Sequence, residues 1–187
     1  MLPCHTHNLF VVTGGPGAGK TTLLEALRRT GLAVAPEAGR AIIRAQRAIG
    51  GLAGHDRDQA LYAELMLSWE LRSYEAARAA GGIHLFDRGI PDLIGYFRLI
   101  GLPLPLHMRK AAEMFRYHKT VFILPPWPEI YVQDDERKQT IEEAERTYES
   151  MRAAYEEADY TPVHVPPAPV EERRDFVLAA IEAAYRP

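Results

Sequence analysis

The sequence predicts a three-layer α/β fold, in which a five-stranded parallel sheet lies between helices on both faces. Five short apolar runs alternate with amphipathic helical segments along the chain, and this order is typical of strand–helix–strand units with right-handed crossovers. The runs are continuously apolar, as expected of strands that are buried on both faces. A length of 187 residues and a hydrophobic fraction of 47% indicate one globular domain with a sizeable core.

The predicted strands are short and rich in β-branched and aromatic residues. They cover residues 9–13, 32–35, 83–86, 120–124 and 161–165. The second run, Leu32-Ala-Val-Ala35, is weak. The first is directly followed by a glycine-rich segment, so we expect it to end in a tight loop.

Seven helices are predicted between and after the strands. They cover residues 21–29, 37–49, 56–80, 91–100, 106–117, 134–158 and 170–185. The third is apolar nearly all round, which predicts that it is well buried. The sixth has apolar residues three and four positions apart and charged residues elsewhere, the pattern of an amphipathic helix.

Composition and charge exclude several classes of protein. The net charge of −3 excludes a strongly basic nucleic-acid binder, so we expect no nucleic-acid partner. The single cysteine excludes an intramolecular disulfide and suits a reducing compartment. The chain has no apolar run of about 18 residues and residues 1–8 do not resemble a signal peptide, so we expect a cytoplasmic protein without a membrane partner.

The glycine-rich segment after the first strand fits the pattern G-x-x-x-x-G-K-[ST]. Glycines let successive backbone N–H groups face phosphate oxygens, and the following helix adds its positive dipole end. The motif lysine would reach the β- and γ-phosphates, and the hydroxyl after it would bind Mg²⁺. The predicted nucleotide-binding residues are Gly14, Gly15, Pro16, Gly17, Ala18, Gly19, Lys20, Thr21 and Thr22. The expected ligand is a nucleoside triphosphate with Mg²⁺.

A second motif, Asp87-Arg88, directly follows the third strand. An aspartate at this place commonly contacts Mg²⁺, so Thr21 and Asp87 are the predicted metal ligands. The alternative is that Asp87 caps helix 91–100. Hydrolytic motors usually have glutamate after this aspartate, whereas Arg88 suits a phosphate or a second substrate near the transferred group.

Together these motifs resemble the deoxynucleoside-kinase and ribosylnicotinamide-kinase branch of P-loop kinases. The overall likeness is greatest to an AAA-labelled family of short ATPases grouped with that branch. It runs from Phe10 through Leu178 and includes the segments 36–40, 86–92 and 125–131. The resemblance implies a P-loop NTPase fold with the strand order 2-3-1-4-5, a lid region at about 132–158, and ATP with Mg²⁺ as ligands. A related domain in a eukaryotic regulatory protein binds GTP, so GTP is also possible.

The resemblance also implies roles for three residues outside the glycine-rich segment. Glu37 matches the glutamate after the second strand that contacts the acceptor alcohol. Arg88 matches the arginine that steadies the same end of the substrate, and Arg137 matches the lid arginine. The aromatic residues and the glutamine that recognise the acceptor in nucleoside kinases have no matching motif here, so the substrate class stays open.

Several further residues have two interpretations. Glu37 is either a general base for a substrate hydroxyl or the start of a helix. Arg40 and Arg44 share a helical face that is either a basic site or plain surface. Trp127, held between prolines, either stacks on a planar substrate or belongs to the core. A metal site at Cys4, His5 and His7 is not favoured, because it has no fourth ligand.

The sequence therefore predicts a phosphotransferase that moves the γ-phosphoryl group of ATP to a hydroxyl of a small molecule, nucleoside-like or another alcohol. Lys20, Glu37, Asp87, Arg88 and Arg137 are the predicted catalytic residues. The alternative is a nucleotide-binding switch that hydrolyses slowly. An ordinary small GTPase is not favoured, because the chain has no N-K-x-D motif. We expect a monomer or a homodimer.

Overall fold

Five parallel strands form the centre of the molecule in a computed structural model that describes residues 5–130 and 140–185. The strands are β1 (Leu9–Gly14), β2 (Ala33–Ala35), β3 (His84–Asp87), β4 (Thr120–Leu124) and β5 (Thr161–His164). Their order across the sheet is β2-β3-β1-β4-β5, and every neighbouring pair is parallel. The predicted P-loop NTPase fold and the predicted strand order are confirmed.

Strand β1 is the central strand and is buried along its whole length. Its Val11 lies opposite Phe86 of β3 and Val121 of β4. Strand β2 has three residues and is only partly buried, because it lies at the edge of the sheet. Its weak apolar run in the sequence agrees with this edge position.

In the part of the chain that the structure describes, seven α-helices surround the sheet. They are α1 (Lys20–Arg28), α2 (Ala38–Ala48), α3 (Gln59–Ala80), α4 (Pro91–Ile100), α5 (Leu106–Met114), α6 (Ile141–Glu157) and α7 (Val170–Tyr185). A 3₁₀ turn covers Pro128–Ile130. None of the helices among the described residues is both long and apolar enough to cross a membrane.

Two hydrophobic cores lie on opposite faces of the sheet. Alternate residues of a strand point to opposite faces, so Leu9 and Val11 pack in one core with α3, α4 and α5. Phe10 and Val12 pack in the other core with α1 and α7. The sheet is thus covered on both sides, which confirms the predicted three layers.

Several helix boundaries differ from the prediction by one residue or more, and the differences at α5 and α6 have a clear cause. Helix α5 ends at Met114 rather than at residue 117, because the next residues make tertiary hydrogen bonds: the Arg116 carbonyl accepts from the Tyr74 hydroxyl, and the Tyr117 N–H donates to the Tyr160 hydroxyl. Helix α6 begins at Ile141 rather than at residue 134, since Thr140 caps it through a reciprocal capping box with Glu143. Residues 131–139 of the predicted lid region lie outside the described residues.

Candidate functional site

The glycine-rich segment forms a loop between β1 and α1, at the carboxyl end of the sheet. Gly17 and Gly19 have φ values of 76° and 73°, the left-handed region in which a side chain is unfavourable. A Cβ at Gly14 would lie 2.6 Å from the Leu124 carbonyl oxygen of β4. The loop therefore needs these glycines, and it leads directly into the N-terminus of α1, where anions are favoured.

Lys20 and Asp87, the two charged motif residues, form a buried ion pair. The Lys20 ammonium donates a hydrogen bond to Oδ1 of Asp87, and each residue is 8% exposed. Asp87 does not cap α4, whose N-cap residue is Ile90, so that alternative is wrong. The charges of the two motifs thus neutralise each other.

The oxygen atoms beside this pair suit a magnesium ion. The Thr21 hydroxyl belongs to the exposed first turn of α1, and the Asp87 carboxylate ends β3, the strand next to β1. Hydroxyl and carboxylate oxygens are ligands that Mg²⁺ accepts, and its other positions are commonly filled by water and phosphate oxygens. In the described part of the chain, no cluster of three or more His, Cys, Asp or Glu side chains could hold a metal by itself.

Asp92, on the first turn of α4, links four segments through one buried carboxylate. Its Oδ1 accepts hydrogen bonds from the Thr13 hydroxyl and, at 3.2 Å, from the Arg88 guanidinium. Its Oδ2 accepts from the Gly89 N–H at 2.9 Å and from the Tyr155 hydroxyl at 2.6 Å. The carboxylate thus joins the end of β1, the Arg88 loop and helix α6.

Arg88 adopts a left-handed backbone conformation with φ 77°, which is uncommon outside glycine and is frequent at functional sites. Burial lowers its pKa, but the negative charges of Asp92, Glu37 and Asp87 raise it more, so the net shift is upward. The guanidinium is therefore a fixed positive charge between the Asp87 pair and Glu37.

Glu70 is a further carboxyl group of this charged cluster. It lies on α3 and is 6% exposed. Burial raises its pKa well above the usual value, and the negative charges of Asp92 and Asp87 raise it further, while Arg88 and Lys20 oppose the shift. Among the described residues, its side chain makes no hydrogen bond or ion pair.

Glu37 follows β2 and occupies the N-cap position of α2 without capping it by a side-chain hydrogen bond. Its carboxylate pairs with Arg40 at 3.3 Å. Glycine at position 39 leaves room for the Tyr62 hydroxyl of α3, which a Cβ there would displace. Burial raises the pKa of Tyr62 to about 12, with Arg88 lowering it and Glu37 raising it. Glu37, Tyr62 and Arg88 therefore share one electrostatic environment.

Aromatic side chains continue this wall beyond Tyr62. The rings of Tyr62 and Tyr96 meet edge to face, with centroids 5.8 Å apart. The Tyr96 hydroxyl is buried, and no described residue bonds it. Trp69 packs beside them and is partly exposed. This wall, built by α2, α3 and α4, combines apolar surface with a free hydroxyl.

Two other candidate residues, Trp127 and Arg44, are not brought into the cluster. Trp127 lies after β4, with the Arg173 guanidinium over its ring. Arg44 is an exposed residue of α2. Arg137 lies outside the described residues, as does Cys4 of the disfavoured metal site.

Four buried polar residues at or beside the site were not assigned by sequence reasoning, namely Thr13, Glu70, Asp92 and Arg173. A signal existed for two of them. Glu70 stands three residues after Leu67 and four before Tyr74, on the buried face of α3. Arg173 stands four residues before Val177 and eight before Ile181, on the buried face of α7. A charged residue on an otherwise apolar stripe is a candidate for a buried functional group.

Solved structures of kinases share the fold at low sequence identity. Deoxyadenosine kinase from M. mycoides, with bound dCMP and dCDP, matches with a TM-score of 0.59 and 12% identity over 94% of this chain and 99% of its own. NadR protein in complex with NR matches with a TM-score of 0.68 and 18% identity over 95% of this chain and 50% of its own. Thymidylate kinase from Ehrlichia chaffeensis matches with a TM-score of 0.63 and 12% identity over 93% and 98%. These likenesses show the fold.

Comparison with sequences gives the family. A search of curated proteins finds no match. The model of a family described as an AAA domain matches residues 9–173, a range that includes all five strands, the glycine-rich loop and the Asp87-Arg88 motif. The chain therefore belongs to this AAA-domain family.

Proposed function

We propose that the protein is an ATP-dependent phosphotransferase that moves the γ-phosphoryl group to a hydroxyl of a small molecule. The observation that carries the proposal is that two sets of charged side chains lie at the carboxyl ends of the strands. Lys20 begins α1, after the loop that follows β1, and Asp87 ends β3. Glu37 and Arg88 follow β2 and β3. The first set suits a triphosphate, and the second suits an acceptor.

Phosphoryl transfer needs mostly positioning and charge from the protein. When a nucleotide binds, the Lys20 ammonium would leave Asp87 and contact the β- and γ-phosphates. The Asp87 carboxylate would then be free to bind Mg²⁺. Thr21 and Asp87 would hold Mg²⁺, which neutralises phosphate charge when bound. Arg137 remains a proposed lid contact to the transferred group.

Glu37 is the proposed general base. The acceptor oxygen attacks the γ-phosphorus, the bond from phosphorus to the ADP oxygen breaks, and the hydroxyl proton passes to the Glu37 carboxylate. Arg88 would stabilise the negative charge that develops on the transferred group. The aromatic wall of Tyr62 and Tyr96 suits a planar acceptor such as a nucleoside, and the kinase folds named above support this class.

The test is a screen for acceptor-dependent release of ADP. Pools of nucleosides, sugars and amino-alcohols are added to the protein with Mg²⁺ and ATP, and steady-state ADP is measured with and without each pool. We expect one pool to stimulate release. With that acceptor, Glu37→Gln and Arg88→Ala should each lose about 10²-fold in turnover while binding ATP within about threefold of the unsubstituted protein.

The rival function, a nucleotide switch, gives a different result. A switch would release ADP slowly at a rate that no alcohol changes, because it holds no acceptor. If no pool stimulates ADP release and both variants hydrolyse ATP like the unsubstituted protein, the phosphotransferase proposal fails. Arg47→Gln serves as a control, because Arg47 is exposed on the same helix and pairs with Asp56 rather than with Glu37.

A further inference from the structure

The first turn of α7 places a buried arginine beside the glycine-rich loop. Arg173 is 3% exposed, and its Nη2 donates a hydrogen bond of 2.8 Å to the Ala18 carbonyl. Ala18 is itself buried. Farther along, α7 packs into the core through Val177 and Ile181. The last helix of the chain is thus tied to the loop that we propose binds phosphate.

Arg173 is a buried positive charge without a carboxylate partner among the described residues. Its Nε is buried and makes no hydrogen bond there. The guanidinium carbon lies 5.5 Å from the centroid of the Trp127 ring, a cation–π contact. Burial lowers the pKa of Arg173, yet guanidinium groups stay charged in proteins. A buried cation in such surroundings costs free energy unless an anion approaches it.

The hydrogen bond to the Ala18 carbonyl involves the peptide group that joins Ala18 to Gly19, near the end of the glycine-rich loop. In a planar trans peptide, the carbonyl and the following N–H point in opposite directions. A guanidinium that holds the Ala18 carbonyl therefore fixes the Gly19 N–H on the other side of that peptide. It also polarises the peptide, which makes the N–H a stronger donor.

We propose that Arg173 is a positioning residue of the nucleotide site. It fixes the Ala18–Gly19 peptide and supplies a positive charge behind the loop, which the phosphates of a bound nucleotide offset. The cation–π contact with Trp127 also holds the guanidinium. The inference rests on the proposed function only in its nucleotide-binding part, and it requires no acceptor.

The test compares nucleotide affinities of variants at Arg173 by calorimetric titration with Mg·ATP, Mg·ADP and tripolyphosphate. Arg173→Met removes both the charge and the hydrogen bond, so it should weaken Mg·ATP and tripolyphosphate by about tenfold or more. Arg173→Lys keeps the charge and one donor, and it should stay within about threefold of the unsubstituted protein. Arg174→Met is the matched control, because Arg174 is the next residue, is partly exposed and pairs with Asp175. It should bind like the unsubstituted protein.

Two results overturn the proposal when circular dichroism shows folded variants. One is Arg173→Met binding Mg·ATP within twofold of the unsubstituted protein. The other is Arg173→Lys binding as weakly as Arg173→Met, which would exclude a role for the charge. Neither result bears on whether an alcohol accepts the phosphoryl group, so failure here is distinct from failure of the phosphotransferase proposal.

Hydrogen–deuterium exchange of the unsubstituted protein tests the same link if Arg173→Met does not fold. Mg·ATP should slow exchange in the loop 14–20 and also at the start of α7, where the Arg173 N–H bonds the Pro169 carbonyl. Slowing in the loop with no change in residues 170–176 would contradict the proposal.

Discussion

Asp92 shows how one residue sets the geometry of several others. Its carboxylate accepts from Thr13, Arg88, Gly89 and Tyr155, so both oxygens are fully used. A carboxylate that accepts from this many donors holds each of them in place, because a donor that moved would lose its hydrogen bond. These bonds therefore stabilise the left-handed backbone conformation of Arg88, and they fix the position of its guanidinium.

Glu70 gives a prediction about pH. Its pKa is raised in the folded chain from the usual 4.5, so the folded chain keeps a proton that the unfolded chain releases. Stability therefore falls as pH rises from 4.5 towards the folded value. Glu70→Gln removes this loss, and we expect its free energy of unfolding to exceed that of the unsubstituted protein by about 1 kcal/mol or more at pH 8.

Urea unfolding at pH 4.5 and pH 8 measures the effect, and the gain should appear only at the higher pH. Glu75→Gln on the same helix is the control, since Glu75 is exposed and pairs only with Arg78 among the described residues. An equal gain for Glu70→Gln at both pH values would mean that the carboxyl group does not titrate differently in the folded chain.

At the scale of elements, helices α4 and α6 pack closely against each other at Gly95. A Cβ on Gly95 would lie 2.7 Å from the Met151 sulfur and 3.1 Å from the Ser150 carbonyl oxygen of α6. The Ser150 hydroxyl also donates to the Gly95 carbonyl at 2.9 Å. This close approach is what lets Tyr155 of α6 reach Asp92 of α4.

Gly95→Ala should destabilise the protein although alanine favours a helix. The propensity gain is at most about 1 kcal/mol, whereas overpacking costs roughly 1–3 kcal/mol, and the backbone oxygen of Ser150 cannot move away as a side chain can. We expect a net loss of about 1 kcal/mol by urea unfolding. Met151→Ala removes the sulfur contact at a cost of its own, so Gly95→Ala should lose less stability when added to Met151→Ala than when made alone. A Gly95→Ala variant as stable as the unsubstituted protein would exclude a tight α4–α6 contact.

The sequence predicted the positions of the helices and strands better than it predicted the residues at which they end. Strands β1, β3 and β4 were predicted because continuous apolar runs reflect burial on both faces, which is a local property. The edge strands β2 and β5 are only partly buried, and their runs in the sequence are weaker. The end of α5 was missed because Tyr74 and Tyr160, distant in sequence, bond the backbone at 116 and 117. Of the site, the loop residues and the Asp87-Arg88 pair lie in local motifs, whereas Glu70, Asp92 and Arg173 meet the site only through tertiary packing.

At the scale of the whole molecule, the proposed binding of a nucleotide at Lys20 predicts a change in stability. A ligand that binds only the folded state adds about 2.7 kcal/mol of stability at 100 times its Kd. For a chain of this size that is a rise in Tm of roughly 5–10 °C. We expect Mg·ATP to produce such a rise, and Lys20→Ala to remove most of it.

Lys20→Ala should also lower the stability of the protein in the absence of nucleotide. This separates the role of Lys20 in the ion pair with Asp87 from its proposed role in binding phosphate. It leaves the Asp87 carboxylate buried without its partner, a change that costs about 3–5 kcal/mol in buried pairs. In Lys20→Ala/Asp87→Asn the uncompensated charge is gone, so the double variant should melt above Lys20→Ala and still show little shift with Mg·ATP. Scanning calorimetry over a series of ATP concentrations measures both quantities. A full ATP shift in the double variant would refute the assignment of the glycine-rich loop, whereas equal melting of the single and double variants would refute the ion pair alone.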